Sequence, residues 1–402
     1  MENDLQIFVQ TAGQEDVSRR EANVKHFDLG ANRYQAVAFA EPVHFRASEA
    51  EEWQEIDNTL EEAVTAQGRR VLCNRASRIR MEFPREADSG NMVSIMDGDR
   101  TFAWRFEQEP LPVQARIRTG QELSRERLIQ TALRLPEFAG RTAESLTDAE
   151  LAGIETEQER RADIATLRAE VLYENLRPGV SVRYTLNGES LKEDIVLTDV
   201  DALAKAGIQL PKEFNYAVTE GRRLLVTDKD TGVEHFYMNA PYVYDAAGTE
   251  TVADILLTDC GEYMRMAYSI DAAFMAKAVY PVTIDPVVQT ATTNSAVCDS
   301  YIWKKNPNTN YGTVHLMRCG DGEGGESLAL IKFNKLIKIK ASDTILSAKL
   351  RVSAKNYAST NEHMACYPIK TAWTETGVTW NQMTPSNDTH INPCNLNSNN
   401  SA

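Results

Sequence analysis

Residues 180–188 read Val180-Ser-Val-Arg-Tyr-Thr-Leu-Asn-Gly188, and this stretch decides the fold class. Apolar side chains at positions 180, 182, 184 and 186 alternate with polar ones, which is the two-residue period of a half-buried strand. The run ends at Asn-Gly, a dipeptide that favours the tight turn of a β-hairpin. The stretch therefore predicts a strand that turns back into an antiparallel partner.

The same pattern recurs on both sides of this hairpin. Ile79, Met81 and Phe83 alternate with charged residues, and Asp97-Gly98-Asp99 predicts a turn between two further strands. Asp230-Thr231-Gly232 predicts another turn between two strands. We expect a mainly β protein whose N-terminal body, residues 21–119 and 174–287, is built from antiparallel sheet.

A charged stretch at residues 120–173 interrupts the strand pattern. Thr147 and Glu150 fit a capping box, in which each residue satisfies a free backbone N–H at a helix start. Apolar residues then recur at three- and four-residue steps, as on one face of a helix. They are Leu151, Ile154, Ile164, Leu167 and Val171. We expect a helical pair inserted between strands.

The last third of the chain predicts a second domain. Residues 288–296, rich in Thr, Ala and Asn, resemble a linker. Beyond them Ile337 and Ile339 alternate with lysines, and apolar residues alternate with polar ones from Leu346 to Ala354. We expect an incomplete C-terminal β-sandwich at residues 297–384, with a polar N-terminal tail at 1–20 and a disordered tail at 385–402.

Charge and composition limit the classes of protein. The chain has 402 residues, 42% of them hydrophobic, and a formal net charge of −15. That charge argues against a general nucleic-acid binder, and no apolar run approaches the roughly 18 residues of a membrane helix. Residues 293–402 nevertheless carry a net charge of +3, so the C-terminal domain could favour an anionic ligand.

No residue pattern predicts catalysis, a metal ion or a cofactor. The chain lacks the nucleophile-elbow, zinc-protease, dinucleotide and phosphate-loop motifs. Its six histidines are scattered, and none lies at ligand spacing from another His or Cys. The six cysteines form no Cys-x-x-Cys pair. We expect a protein that is not an enzyme.

Aromatic residues near the start of the C-terminal domain suggest a binding face. Tyr301, Trp303 and Tyr311 lie in a stretch rich in Asn and turns, where exposed rings could stack on sugars. Four cations should point away from the core on their strands and could select an anionic glycan. They are Lys338, Lys340, Lys349 and Arg351. Trp373 and Trp380 are better explained as core residues.

Four sequence blocks resemble a known family. They are Asp299 to Gly312, Leu330-Ile-Lys-Phe333, Ile345-Leu-Ser-Ala-Lys-Leu350 and Trp373-Thr-Glu-Thr-Gly-Val-Thr-Trp-Asn381. In this order and spacing they are similar to the DNRLRE domain, which is carbohydrate-binding module family 96. The resemblance implies a non-catalytic β-sandwich that binds polysaccharide, with an acidic or uronate-containing glycan as the candidate ligand.

The N-terminal body carries a second resemblance. Gly30 to Phe45, Trp53 to Leu60, Leu191 to Leu197 and Tyr280 to Pro286 look like the region that precedes this domain in wall-associated Rhs/YD-repeat proteins. The resemblance implies an extracellular or cell-wall location, although Met1 to Arg20 shows no secretory signal.

These observations leave three interpretations of function. The first is a cell-surface protein that binds polysaccharide, with no nucleic-acid partner and no membrane insertion. The second is a structural N-terminal portion of an Rhs-type surface or toxin-delivery protein that binds no sugar. The third is a polysaccharide lyase or hydrolase within residues 21–286.

Overall fold

A computed structural model describes most of the chain. The described residues are 13–156, 160–220, 222–290, 297–312, 314, 317–322, 325–334, 337, 339–350, 352, 366–369 and 371–383. The chain divides into two compact units: the first comprises residues 1–297 and 313–315, and the second comprises residues 298–312 and 316–402. Within the described residues, no helix is both long enough and apolar enough to cross a membrane.

The first unit is made mainly of short strands. Before the helical segment they are β1 (Gln14–Glu15), β2 (Val24–Asp28), β3 (Tyr34–Ala38), β4 (His44–Phe45), β5 (Gln54–Glu55), β6 (Asp57–Val64), β7 (Arg70–Ala76), β8 (Ile79–Pro84), β9 (Val93–Asp97), β10 (Arg100–Phe106) and β11 (Arg116–Thr119). After it they are β12 (Arg168–Arg177), β13 (Val180–Asn187), β14 (Ser190–Leu197), β15 (Ile208–Leu210), β16 (Phe214–Val218), β17 (Leu224–Asp228), β18 (Glu234–Met238), β19 (Tyr242–Tyr244), β20 (Glu250–Val252), β21 (Asp254–Asp259), β22 (Met264–Ser269), β23 (Val282–Asp285) and β24 (Val287–Thr290). The prediction of a mainly β fold is confirmed.

Two large antiparallel sheets dominate this unit. One has eight strands in the order β21-β22-β15-β10-β9-β8-β7-β6. The other follows the order β11-β12-β13-β14-β24-β18-β17-β16, with β19, β20 and β23 attached beside it. Smaller sheets join β1 to β3 and β4 to β5. The three predicted hairpins are confirmed as β9–β10, β13–β14 and β17–β18.

The two large sheets share one hydrophobic core. Phe102 of β10 stacks on Phe236 of β18 with ring centroids 5.3 Å apart, and Phe83 of β8 lies 5.3 Å from Tyr184 of β13. Each pair joins one sheet to the other, so the first unit is a β-sandwich. Burial of such large rings stabilises the packing of the two sheets.

The helical insertion is confirmed, although it ends earlier than predicted. The described helices are α1 (Gly120–Ala132), α2 (Asp148–Ile154) and a short α3 (Ala272–Met275). Thr147 and Glu150 form the predicted capping box at the start of α2. Leu151 packs in a small core with Ile129 of α1.

One part of the predicted helical face is wrong. Val171 lies in strand β12, where it pairs with Ile117 and Tyr184. Leu167 lies in a single 3-10 turn rather than on the same helix as Leu151. Residues four apart share a face in a strand as well as in a helix, so the sequence spacing did not separate the two structures.

The second unit has a smaller described sheet. Its strands β25 (Val297–Trp303), β26 (Gly320–Gly322) and β27 (Gly325–Phe333) lie in the order β25-β27-β26. Ile302, Leu330, Val378 and Trp380 form its buried core. Trp380 is therefore a core residue, as predicted, whereas Trp373 is only half-buried.

The strand predicted from Leu346 is not present in the described residues. Residues 339–350 contain no strand, and Ile345, Leu346 and Leu350 are exposed. Ile339 is also exposed. An alternating pattern forms a strand only where a neighbouring strand pairs with it and a packed layer covers its apolar face. Among the described residues, residues 339–350 have neither a pairing strand nor a layer that covers their apolar side chains. Residues 353–354 of this prediction, and the tail at 385–402, lie outside the described part.

The predicted N-terminal tail, residues 1–20, is described from residue 13 onward. This part contains β1, which pairs with β2 through Gln14 and Glu15.

Candidate functional site

The three aromatic residues predicted from the sequence lie together. The ring centroids of Tyr301 and Tyr311 are 4.2 Å apart, and their planes differ by only 17°. The Trp303 ring is tilted against Tyr311, with centroids 6.3 Å apart. Tyr301 and Trp303 are two residues apart on β25, so they point to the same face while Ile302 points into the core.

Exposure differs among these rings. Tyr301 is buried, with 4% of its surface exposed, whereas Trp303 and Tyr311 are half-buried. Tyr311 therefore lies over Tyr301 and leaves its own outer side accessible. Tyr301 supports the Tyr311 ring from below, and Trp303 is accessible to a similar extent as Tyr311.

An asparagine-rich loop fixes Tyr311 in this position. Asn306 Nδ2 donates a hydrogen bond to the Tyr311 hydroxyl oxygen at 2.9 Å. Asn310 Nδ2 donates to the carbonyl oxygens of Glu375 and Val378, each at 2.8 Å. Turn-forming asparagines thus join the loop to the segment that carries the core residue Val378.

Close packing explains the glycine that follows Tyr311. A Cβ atom at Gly312 would lie 1.9 Å from the carbonyl oxygen of Glu375. A larger residue could not occupy this position without moving the loop away from residues 375–378. Gly312 therefore allows the aromatic loop to approach this neighbouring segment.

Two cations lie over Trp303. Lys305 Nζ and Arg318 Cζ are each 5.3 Å from the centre of its ring, within the usual range of a cation–π contact. Trp303 Nε1 donates to the carbonyl oxygen of Gly325 at 3.2 Å, which fixes the ring against β27. The result is an aromatic ring with two positive charges over it.

The predicted cations are placed differently. Lys340 and Lys349 are exposed, but neither lies on a strand, because residues 339–350 contain none. The Lys340 backbone N–H donates to Asp343 Oδ2 at 2.9 Å, in a turn. Lys338 and Arg351 lie outside the described residues. Of the four, the described residues place only Lys340 and Lys349, and both lie outside strands.

A second aromatic residue carries a similar cation. Lys332 Nζ lies 5.2 Å from the centre of the Trp373 ring and donates to the Trp373 carbonyl oxygen at 3.0 Å. Trp373 also lines a cavity of about 330 Å³ together with Thr374, Gln382 and Met383. The prediction of core packing thus holds for Trp380 but only partly for Trp373.

Two carboxyl groups in the described part of the first unit have raised pKa values. Burial raises the pKa of Glu193 to about 7, and this carboxylate accepts a hydrogen bond from Trp104 Nε1 at 3.1 Å inside the sandwich core. Burial also raises the pKa of Glu41 to about 7, with the charge of Glu189 as a smaller cause. Neither group lines the cavity of about 150 Å³ near Phe106. Burial is therefore the main cause of both raised pKa values.

Sequence reasoning did not identify Lys305, Arg318 or Lys332. Lys305 follows Trp303 closely and belongs to the stretch that suggested a binding face. Arg318 is 15 residues away from Trp303, and only the fold brings it to the ring.

Comparison with known proteins first identifies distant relatives. The chain is 20% identical to the tRNA nuclease WapA of Bacillus subtilis over 391 residues, which cover 91% of this chain and 15% of that protein. It is 19% identical to the tRNA(Glu)-specific nuclease WapA of Bacillus subtilis subsp. natto, with the same coverage. The chain thus spans about 15% of the length of these curated relatives.

No solved structure was found to match the chain. The family comparison, in contrast, matches the model of carbohydrate-binding module family 96. The match covers residues 290–401, which include the aromatic face and the four sequence blocks that resemble this family. The C-terminal part of the chain, residues 290–401, is thereby identified with carbohydrate-binding module family 96.

Proposed function

We propose that the second unit binds polysaccharide through the aromatic face formed by Tyr311 and Trp303. The observation that carries this proposal is the Tyr311 ring stacked on the buried Tyr301. Such a stack holds an accessible ring in a fixed orientation, so little side-chain entropy is lost when a sugar packs on it. The match to a carbohydrate-binding family supports the same function.

The proposed ligand is an acidic glycan that contains uronate residues. Lys305 and Arg318 lie over the Trp303 ring, where they would attract a sugar carboxylate while the neighbouring Tyr311 ring stacks on the C–H face of the sugar. The net charge of +3 in residues 293–402 favours the same class of ligand. Lys340 and Lys349 are exposed and would make outer contacts along a longer chain.

The proposal assigns no catalysis to this chain and treats the first unit as a scaffold. In the part of the first unit that the structure describes, the carboxyl groups with strongly raised pKa values lie inside the sandwich or beneath Gln289, away from an open cleft. The relatives named WapA are tRNA nucleases, but a net charge of −15 disfavours RNA binding by this chain. The proposed location is outside the cell or at the cell wall.

A second candidate function rests on the coverage of the relatives. Similarity extends over 91% of this chain but only 15% of each WapA protein. This favours an alternative in which both units are structural parts of a larger surface or toxin-delivery protein and bind no sugar.

Affinity electrophoresis tests the proposal against this alternative. The purified 402-residue chain is run through native gels that contain alginate, pectin, a neutral glucan or no polysaccharide, and parallel lanes contain tRNA. We expect slower migration in at least one anionic gel, no shift with tRNA, and a smaller shift at higher salt. Equal mobility in every gel, from a chain that circular dichroism shows to be folded, would favour the structural alternative.

A further inference from the structure

Three potential metal ligands meet in the N-terminal part of the first unit. Glu15 lies on β1, His44 on β4 and Glu55 on β5. One ligand atom from each lies within 4.8 Å of the other two. His44 and Glu55 are direct partners across the β4–β5 pair, which explains why their side chains meet.

The imidazole of His44 is oriented toward the two carboxylates. His44 Nδ1 lies 2.7 Å from the backbone carbonyl oxygen of Glu21, so this nitrogen donates and Nε2 keeps its lone pair. Nε2 is buried and has no hydrogen-bond partner among the described residues, and it lies 3.5 Å from Glu15 Oε1. The His44 side chain has no exposed surface. A buried nitrogen without a partner is unusual in folded proteins and requires an explanation.

We propose that Glu15, His44 and Glu55 bind a divalent transition-metal ion, with Zn²⁺ as the best fit. This site is independent of sugar binding by the second unit. Zn²⁺ accepts one imidazole nitrogen and two carboxylate oxygens at about 2.0–2.2 Å and leaves a position for water. Those bond lengths place neighbouring ligand atoms about 3.3–3.5 Å apart, which agrees with the 3.5 Å between His44 Nε2 and Glu15 Oε1.

The hydrogen bond at Nδ1 supports this role. Metal-bound histidines usually donate the other ring N–H to a carbonyl or carboxylate, which fixes the ring and its tautomer. Glu21 provides such a carbonyl oxygen. Glu55 is partly exposed, with 44% of its side chain accessible, so it can move by the small distance that coordination requires.

Two cations hold the carboxylates in the metal-free arrangement. Lys25 Nζ lies 2.5 Å from Glu55 Oε1 and 3.3 Å from Glu15 Oε2, and Arg20 also contacts both carboxylates. The Lys25 ammonium thus neutralises the charge that a metal ion would neutralise. Arg20 Nε lies 2.7 Å from Glu15 Oε1, the oxygen nearest His44 Nε2, so metal binding must displace it from that oxygen as well as Lys25 from Glu55. Arg20 can keep its second contact, with Glu15 Oε2 at 3.1 Å. Lys25 is therefore a competitor whose removal strengthens metal binding.

Zinc titration of the full chain tests this proposal. Exposed thiols at Cys260, Cys319 and Cys366 are first alkylated, because free cysteines also bind zinc. Isothermal calorimetry with Zn²⁺ should give one site per chain. Lys25→Met should tighten binding about tenfold, because a nearby positive charge is removed, and Glu55→Gln should weaken it about tenfold.

The matched control is Glu52→Gln, an exposed carboxylate near Glu55 in sequence, which should leave zinc affinity unchanged. His44→Ala should abolish the site, provided that circular dichroism shows a folded chain. If the buried His44 proves essential for folding, Glu55→Gln and Lys25→Met still decide the question. Absence of zinc binding, or binding that neither of these variants alters, would overturn the proposal.

Discussion

The ring of Tyr311 lies almost parallel on the ring of Tyr301, with centroids 4.2 Å apart. Tyr301 is buried and Tyr311 is half-buried, so one ring supports the other at the surface of the second unit. This stack connects the face of β25 opposite the core residue Ile302 to the loop that carries Tyr311. It makes the position of the outer ring depend on a residue that no ligand needs to touch.

Replacing either ring of the stack should weaken glycan binding. Tyr311→Ala removes the platform itself and should reduce affinity by about tenfold or more. Tyr301→Leu keeps a buried apolar side chain but removes the stacked ring, a contact worth about 0.5–1.5 kcal/mol, and should reduce affinity several-fold. Affinity electrophoresis measures both changes. A Tyr301→Leu variant that binds normally would show that the stack does not position Tyr311.

Charge removal beside Trp303 should reduce the salt dependence of binding. Lys305 Nζ lies 5.3 Å from the Trp303 ring, where a bound carboxylate would feel its charge. Lys305→Gln should bind less tightly at low salt and approach the parent chain at high salt, because added ions screen the lost attraction. Lys277→Gln, which removes an exposed lysine of the first unit, is the control. If Lys305→Gln lost the same amount of glycan affinity at every salt concentration, an electrostatic role of Lys305 would be contradicted.

Glu193 should make the first unit less stable as pH rises. Its pKa is about 7 in the folded state, against 4.5 in an unfolded chain. Between these values the unfolded state releases the proton while the folded state retains it, so the free energy of unfolding falls with rising pH. The free energy of unfolding is lower by about 3 kcal/mol in total once the pH is well above 7.

Glu193→Gln should therefore flatten this pH dependence and raise stability at pH 8. The glutamine carbonyl can still accept the hydrogen bond from Trp104 Nε1. The pKa of Glu41 is also raised to about 7, so Glu41 makes the free energy of unfolding fall with pH in the same way. The pH dependence of stability in the variant therefore becomes smaller but does not vanish. Urea unfolding between pH 4.5 and 8 measures the slope. An unchanged slope in the variant would contradict the assignment.

Asn58 should be essential for the stability of the first unit. Its fully buried amide Nδ2 donates to the carbonyl oxygens of Leu167 and Gly188, at 2.7 and 2.8 Å. Asn58→Ala leaves both acceptors without this donor and should lower the free energy of unfolding by about 2–4 kcal/mol. The exposed Asn91→Ala is the control, with a change of about 0.5 kcal/mol or less. A similar small effect at Asn58 would mean that water replaces its hydrogen bonds.

Local sequence signals predicted the hairpins and the cap of α2 because both depend on residues close in sequence. Asn187-Gly188 forms its turn within one strand pair, and Thr147 and Glu150 bond to each other. The strand prediction from Leu346 was wrong because alternation of apolar and polar residues reveals only which face of a strand would be buried. Whether that face becomes part of a sheet depends on a distant partner strand.

The candidate site was predictable to the same limited extent. Tyr301 and Trp303 share a face because they are two residues apart on one strand. Arg318 reaches Trp303 only through the tertiary fold. Likewise Glu15, His44 and Glu55 follow no ligand spacing in the sequence, and the pairing of β4 with β5 brings two of them together.

The mobility of Trp303→Ala in the gel that retards the parent chain is the most direct test of the central claim. Trp53→Ala is the matched control, since Trp53 is also half-buried and has Arg46 4.6 Å from its ring centre, but lies in the first unit. We predict that Trp303→Ala loses most of the retardation while Trp53→Ala keeps it. Equal retardation of both folded variants would contradict glycan binding at the Tyr311–Trp303 face.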